Sequence, residues 1–350
     1  MAADEFDALR RRHADYFLAQ AERAEPELRV RDQQQWYARL LENEGNYRAA
    51  LTWALEVGQG EMALRLAGAL WMFWRWAGLF AEGRAWLDVA LAAGADFPLE
   101  VRCQGFWGAG WLAFHAGDYR RTGELGEEML LLLVGRADAF QRRNALTLVG
   151  NAALADARNE AAVAALAEAL AICSALGTSW HLATSQLNLG TAELQSGRGT
   201  EARTLFERAL AIYQELGDDH FTATVLIQLG YSALSLGQPA DAAIHIEGAM
   251  RIVAGLGDGW SIADGLEAVA TLHSDTDPRL AALLGGAAER LRERIGMRPH
   301  PADVRVNRAR LERVRAQMPG NAFGDSWNEG GRITLESAVG LALNGSNTNI

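Results

Sequence analysis

One interval constrains this chain more than any other feature. Gly110, Gly150, Gly190 and Gly230 lie 40 residues apart. Seven residues after each come Gly117, Ala157, Gly197 and Gly237, and twelve after come Thr122, Ala162, Ala202 and Ala242. Nineteen after come Met129, Ala169, Ala209 and Ala249. A second frame agrees, because Leu176-Gly177, Leu216-Gly217 and Leu256-Gly257 keep the same interval. A fixed period of this size belongs to a solenoid, whose units cannot bury their apolar faces alone and must stack. Function is then expected on the faces of a superhelix rather than in one catalytic pocket.

Stacking lets a chain of 350 residues grow past the limit of a single globular core. A hydrophobic share of 49% is enough for a continuous core, and with Ala and Leu dominant and only seven Pro the elements are expected to be helices. All 33 basic residues are Arg, none is Lys. That excludes a G-x-x-x-x-G-K-[ST] phosphate loop and lysine Schiff-base chemistry. A net charge of −11 argues against nonspecific nucleic-acid binding. The nine Arg between Arg290 and Arg315 sit among Glu289, Glu293, Asp303 and Glu312, and are read as an ion-paired helix surface, not a DNA contact.

Cys103 and Cys173 have no C-x-x-C partners, which fits reduced, buried thiols and a cytoplasmic location. Met1 to Asp7 is acidic, unlike a signal peptide. The most hydrophobic stretch, Met62 to Phe80, carries Arg65 and Arg75 and fits the repeat register, so no membrane span or membrane partner is expected.

The cleanest unit runs from Ala183 to Ile212. Leu189-Gly190 lies in its first helix, Gly197 ends that helix with a residue tolerant of positive φ, and Glu201-Ala202 opens the second. Phe206, Ala209 and Leu210 then supply an apolar stripe. Small residues at 190 and 202 are expected where the paired helices cross most closely. This pattern resembles the tetratricopeptide repeat, with L-G, G, A, F/Y and A-L at these offsets. The following unit (Leu229-Gly230, Gly237, Ala242, Ile246, Ala249, Met250) and the preceding one (Val149-Gly150, Ala157, Ala162, Leu166, Ala169, Leu170) match. The unit of Gly110 is weaker because Gly126 stands where the bulky residue belongs. A period of 40 against the repeat's usual 34 or so implies longer helices.

Degenerate units extend the series. Trp71, Gly78, Gly83, Leu87 and Ala90-Leu91 make one; Gln33 to Leu41 with Gly45, Tyr47 and Ala50 make another. Val269-Ala270 and Ala281-Ala282 continue it after Asp277-Pro278, a good helix start. The expected architecture is therefore all-α: residues 1–297 form a right-handed superhelical solenoid of about seven helix pairs, and residues 298–350 a C-terminal helical cap and tail. Within the cap, Arg298 to Pro301 is read as a turn, Arg305 to Gln317 as a helix, Thr334 as the N-cap of a last short helix, and Asn344 to Ile350 as a polar, frayed tail.

Both ends resemble something narrower. R-H-A-D-Y-F-L-A-Q-A-E (Arg12 to Glu22), L-E-N-E-G-N-Y-R-A-A-L-T-W-A-L (Leu41 to Leu55) and L-R-L-A-G-A-L-W-M-F-W (Leu64 to Trp74) open the chain. L-L-G-G-A-A-E-R-L-R (Leu283 to Arg292), A-F-G-D-S-W-N-E-G (Ala322 to Gly330) and T-L-E-S-A-V-G-L-A-L (Thr334 to Leu343) close it. In that order they resemble the C-terminal region of signal-transduction ATPases with numerous domains, the group of MalT-like and large LuxR-type transcriptional regulators. The resemblance implies a sensor or autoinhibitory arm, whose partner ATPase or DNA-binding domain is missing from this chain. Whether the chain is part of a larger regulator or stands alone is open at this stage, as is homo-oligomerisation.

In tetratricopeptide superhelices the first helix of each unit lines the concave face, and positions three before and one after the small residue point inward. Those positions give Trp107, Trp111, Thr147, Asn151, Leu187, Thr191, Ile227, Tyr231, Glu267 and Thr271. One turn further out lie Gln104, Asn144, Thr184, Thr224 and Asp264, and Arg75 and Trp76 come from the earlier unit. The expected ligand-binding set is Arg75, Trp76, Gln104, Trp107, Trp111, Asn144, Asn151, Thr184, Thr191 and Tyr231. Aromatics for stacking and amides that both donate and accept suit a peptide, a partner protein or a small-molecule effector. Trp71, Trp74, Trp76, Trp86, Trp107 and Trp111 also sit where aromatics fill cores; Trp107 and Trp111, four apart on the inferred inner face, are the best candidates for ligand contact. His115 is read as a satisfied structural histidine.

No H-x-x-x-H, H-E-x-x-H or G-x-S-x-G pattern occurs, and Glu127-Glu128 and Asp218-Asp219 are read as solvated charge at a helix surface and a turn. No enzyme activity, cofactor or metal is expected. The leading reading is the sensor or protein-interaction domain of a bacterial transcriptional regulator. The alternative is a free-standing adaptor for a peptide or protein without a transcriptional role.

Overall fold

A computed structural model describes residues 2–177, 179–257, 259–298 and 301–345. Among the described residues the only regular secondary structure is helix. The chain forms two compact units, Met1–Ala152 and Ala153–Ile350.

The first unit opens with α1 (Ala2–Glu27), followed by α2 (Gln33–Glu42), α3 (Glu44–Glu56), α4 (Gly60–Trp76), α5 (Phe80–Ala92), α6 (Leu99–His115) and α7 (Tyr119–Leu132). Helix α8 (Ala139–Ala155) runs past its end. Ala14, Phe17, Leu18, Ala21 and Ala24 bury one stripe of α1, and α1 packs on α3 and α4. Helices α4 to α7 stack as successive hairpins, with α4 against α5 and α6, and α6 against α7.

The second unit continues with α9 (Asn159–Leu176), α10 (Ser179–Gln195), α11 (Gly199–Leu216), α12 (Asp219–Ser235), α13 (Pro239–Leu256), α14 (Gly259–Leu272) and α15 (Pro278–Ile295). Its end is made of α16 (Pro301–Gln317), α17 (Ala322–Gly330) and α18 (Leu335–Gly345). The pairs α10–α11, α12–α13 and α14–α15 are hairpins, each packed on the next. The long period is spent on helix length: α10 and α12 have 17 residues, α11 and α13 have 18.

Both sequence frames have a backbone cause. Gly117, Gly197 and Gly237 adopt φ of 80°, 79° and 71°, and Gly177, Gly217 and Gly257 adopt 68°, 71° and 72°. These are left-handed C-caps, a conformation in which a Cβ is penalised. Ala157 holds the same place at φ 60° and is the lone non-glycine with positive φ among the described residues. The small residue of each first helix receives the large residue of the second. A Cβ on Gly190 would sit 2.5 Å from the Phe206 ring, and one on Gly230 would sit 2.4 Å from Ile246.

The weak unit solves the same problem differently. With Gly126 offering no side chain, the hole at Gly110 is filled by Leu148, whose Cδ1 lies 2.6 Å from where a Cβ on Gly110 would be. Gly126 in turn lies against the Ala145 carbonyl and Val149 of α8. The glycine thus admits a neighbouring helix instead of projecting a knob.

Asp277 caps α15, accepting from Leu280 N at 3.0 Å, and Thr334 Oγ1 accepts from Ser337 N at 3.1 Å to start α18. The cap helices dock by backbone contact: a Cβ on Gly286 would lie 2.1 Å from the Trp327 carbonyl, and one on Gly330 1.9 Å from the Leu283 carbonyl. Of the turn expected from Arg298 to Pro301, residues 299–300 lie outside the described residues and Pro301 already starts α16; of the tail expected from Asn344 to Ile350, Asn344 and Gly345 belong to α18 and residues 346–350 lie outside the described residues.

Both cysteines are free and buried, and burial pushes the Cys103 thiol up to about 11. By length and composition α9 is apolar enough to cross a membrane. Its apolar content is largely alanine, and Ala162, Leu166, Ala169 and Cys173 form the buried stripe of a helix packed on protein.

Candidate functional site

In the first unit, the predicted residues gather around one indole. Trp107 is buried and meets Trp71 edge-on at 6.2 Å and Trp111 edge-on at 5.5 Å. Trp111, half-buried, stacks on His115 at 5.8 Å and 24°. Buried Arg75 donates from Nε to His115 Nε2 at 2.8 Å. From the other side Arg143 lies over the Trp107 ring at 5.3 Å and over Phe140 at 4.8 Å. Trp107 is thus flanked by two buried guanidinium groups, one in direct contact and one reached through His115 and Trp111.

The remaining predicted residues of this unit have other contacts. Trp76 is buried and meets Tyr37 edge-on at 6.0 Å. Half-buried Gln104 lays its stem over Gly68. Asn151 is buried and donates from Nδ2 to the Thr147 carbonyl of its own helix at 2.9 Å. Asn144 is buried, donates to Gln141 Oε1 at 3.2 Å, and its Oδ1 has no hydrogen-bond partner among the described residues. The indole Nε1 atoms of Trp71 and Trp111 are likewise buried without an acceptor.

In the second unit Thr184 is buried, giving 2.8 Å to the Tyr213 hydroxyl and 3.0 Å to the Trp180 carbonyl. Thr191 donates to the Leu187 carbonyl at 3.0 Å. Half-buried Tyr231 lies under Arg310 of α16 at 5.8 Å. Asp264 and Glu267, two further positions expected on the inner face, both bind Arg292 of α15, at 2.9 Å for Asp264. Burial works against the Arg292 charge, yet the two carboxylates more than offset it and hold the guanidinium above its ordinary value.

Two sequence readings are corrected here. The Arg290 to Arg315 stretch is not simply a solvated face: Arg292 is buried in an ion triad and Arg310 stacks on Tyr231. Asp218 is fully buried rather than solvated, capping α12 through Phe221 N at 3.1 Å and accepting from Trp180 Nε1 at 2.9 Å. Among the described residues no group of three His, Cys, Asp or Glu is placed to hold a metal ion.

The fold is that of a tetratricopeptide-type helical-hairpin solenoid. The tetratricopeptide-repeat family profile matches residues 181–254, the two most regular units. A Rap protein complexed with competence and sporulation factor superposes with a TM-score of 0.61 at 12% identity, covering 94% of this chain and 99% of that one. The apo form of RapI gives 0.60 at 14% identity, covering 76% and 97%. A signal-transduction ATPase with numerous domains and a tetratricopeptide repeat sensor, from Pyrococcus horikoshii, gives only 0.48 at 13% identity, covering 91% of this chain and 56% of that one; that score is too low to carry weight. No curated protein sequence matches. At these identities the likenesses establish the fold alone.

Arg143 escaped the sequence reading although a signal was there. It shares a register with Cys103, Ala183, Ala223 and Ala263, all small and buried. An arginine in a core register of alanines, 0% exposed, marks a departure from the repeat that stacking on Phe140 and Trp107 accommodates.

Proposed function

We propose that this chain is a non-enzymatic interaction domain that binds a peptide, or a peptide-like segment of a partner, on the face presented by the first helices of its repeats. The observation that carries this reading is the Trp107 cluster. There a half-buried Trp111, two buried arginines and unsatisfied polar atoms converge on helices that in an ordinary repeat need only pack. The same fold, in a Rap protein, has been solved with competence and sporulation factor bound. Native mass spectrometry of the chain purified from its own cells tests the reading. A bound species lost on mild heating and absent from a Trp111→Ala variant is the expected result.

The narrower reading is that the domain senses an effector for a transcriptional regulator. It is supported by the resemblance of the two ends alone, Arg12 to Glu22, Leu283 to Arg292 and Ala322 to Gly330. A reading frame encoding neither a nucleotide-binding switch nor a helix-turn-helix beside this chain would remove the link to transcription. An adaptor that binds peptides would remain.

A further inference from the structure

Helix α16 is held to the second unit by little apolar contact. Of the described side chains between Arg308 and Gln317, Val314 alone is buried, and it packs with half-buried Leu311 on Ala281 and Ala282 of α15 and on Phe323 of α17. The next helix, α17, is docked on α15 more closely, backbone against backbone at Gly286 and Gly330. Helix α16 is therefore a strap between two helices that already hold each other.

Its second hold is a cation. Arg310 reaches from α16 onto the Tyr231 ring of α12 at 5.8 Å, and Asp275, in the turn after α14, and Glu267 of α14 lie close enough to favour its charge. Arg313 adds a distant pairing with Asp275 at 3.9 Å, and Gln317 a long hydrogen bond to the Ser274 carbonyl at 3.4 Å. An aromatic face flanked by carboxylates suits a guanidinium, which stacks on the one and pairs with the other. Tyr231 is one of the positions expected to take a ligand, and here a side chain of the chain itself covers it.

The contact serves Arg310 poorly. Burial and the nearby Arg313 oppose its charge more than Tyr231, Asp275 and Glu267 support it. Its Nη1 is buried with no hydrogen-bond partner among the described residues. A buried donor left unmade is costly, whereas water satisfies the same group once α16 lifts. Lifting it takes a cation away from Glu267 and Asp275, so the group that best replaces it is another cation.

We propose that the Tyr231 face of α12 and α14 is a docking site for an arginine-bearing peptide segment of a partner, and that Arg310 of α16 occupies this site intramolecularly until such a segment displaces it. The inference goes beyond the peptide-binding reading above: it concerns the second unit and does not depend on the Trp107 cluster.

A labelled peptide of residues 301–318, the α16 sequence itself with blocked ends, tests it by fluorescence anisotropy against the full chain. The parent chain should bind this peptide weakly, because its own α16 competes. A site open in about a tenth of the molecules binds about tenfold more weakly than an open one, so Arg310→Ala in the chain should tighten binding by about that factor. Val314→Ser, which loosens the seam instead, should act in the same direction. Adding Tyr231→Ala to the Arg310→Ala chain should abolish the gain, as should placing Arg310→Ala in the peptide. Hydrogen exchange read by mass spectrometry should show faster exchange in α16 of both single variants and an unchanged pattern in α12 to α15, which establishes that they are folded. Equal affinity of the parent and both single variants would overturn the intramolecular occupancy. A gain that survives Tyr231→Ala, or that the Arg310→Ala peptide retains, would overturn the site. No binding to any of these chains would overturn the docking surface altogether.

Discussion

Arg75 donates through Nε to Nε2 of His115 at 2.8 Å, and the two residues stand one full repeat apart, 40 positions along the chain. A guanidinium can only donate, so the imidazole nitrogen accepts. His115 also stacks on Trp111 and lies tilted on Phe80 at 6.0 Å, which makes it a joint between successive first helices. His115→Phe keeps the stacking and removes the acceptor, so it should lower unfolding free energy by about 1–3 kcal/mol. His115→Ala should cost more. Urea midpoints decide this, and a Phe variant as stable as the parent would show that the hydrogen bond contributes nothing.

Ala157 occupies a left-handed C-cap that its repeat counterparts fill with glycine. It is exposed, so substitution there disturbs no packing. The left-handed conformation costs an L-residue about 1–2 kcal/mol, of which glycine's greater freedom in the unfolded chain takes back part. Ala157→Gly should therefore stabilise the protein by about 0.5–1 kcal/mol. A lower melting temperature for the glycine variant would contradict that account.

At Gly286, by contrast, an added side chain has no room. Any Cβ there would collide with the Trp327 carbonyl at 2.1 Å, and backbone cannot swing aside as a side chain can. Gly286→Ala should push α17 off α15 despite alanine's higher helix propensity. The Trp327 indole now donates to Glu289 at 2.7 Å, so its fluorescence should shift to the red as that contact opens. Fluorescence and limited proteolysis after residue 320 report the change; an unaltered spectrum and cleavage pattern would refute it.

The repeat was legible because it is written in glycine. Positions 190, 197 and 230 are fixed by crossing distance or by φ, and both constraints show in composition alone. The caps at Asp277 and Thr334 were legible for the same local reason. Tertiary substitution was not: that Leu148 of α8 would fill the hole beside Gly110 depends on a helix one unit away. Asp218 looked like turn charge because the indole that satisfies it lies 38 residues upstream. At the candidate site, spacing found Trp107 and Trp111. It missed Arg143, whose meaning appears only when its register is compared with Cys103 before it and the alanines after it.

Burial holds the His273 imidazole below its ordinary value, against smaller upward pulls from Asp277 and Glu247, and half-buried His245 is lowered by burial and by Arg203. With the folded value depressed, the unfolded chain takes up the proton first as pH falls. The stability tied to the neutral ring is complete above about pH 6.5, the unfolded value, and is lost as pH drops toward the lowered folded one. His273→Gln should flatten the decline in urea midpoint between neutral pH and pH 5 relative to the parent. Parallel declines in the two proteins would assign the loss to other groups.

Trp111 differs from its neighbours in being only half-buried while Trp107 and Trp71 are buried. Removing a fully buried indole leaves a cavity and costs about 3–5 kcal/mol. Removing one whose edge faces solvent costs less stability, so any larger loss in binding belongs to contact with the ligand. Trp111→Ala should weaken peptide binding at least tenfold, as truncation of an aromatic anchor does at an interface, with a fall in melting temperature clearly smaller than that of Trp107→Ala. The two variants compared by calorimetric melting and by titration with the species that the parent chain binds separate the roles. If Trp111→Ala loses as much stability as Trp107→Ala and binding falls only in proportion, Trp111 is core, and the contact surface must be sought on Gln104 or on the second unit's first helices instead.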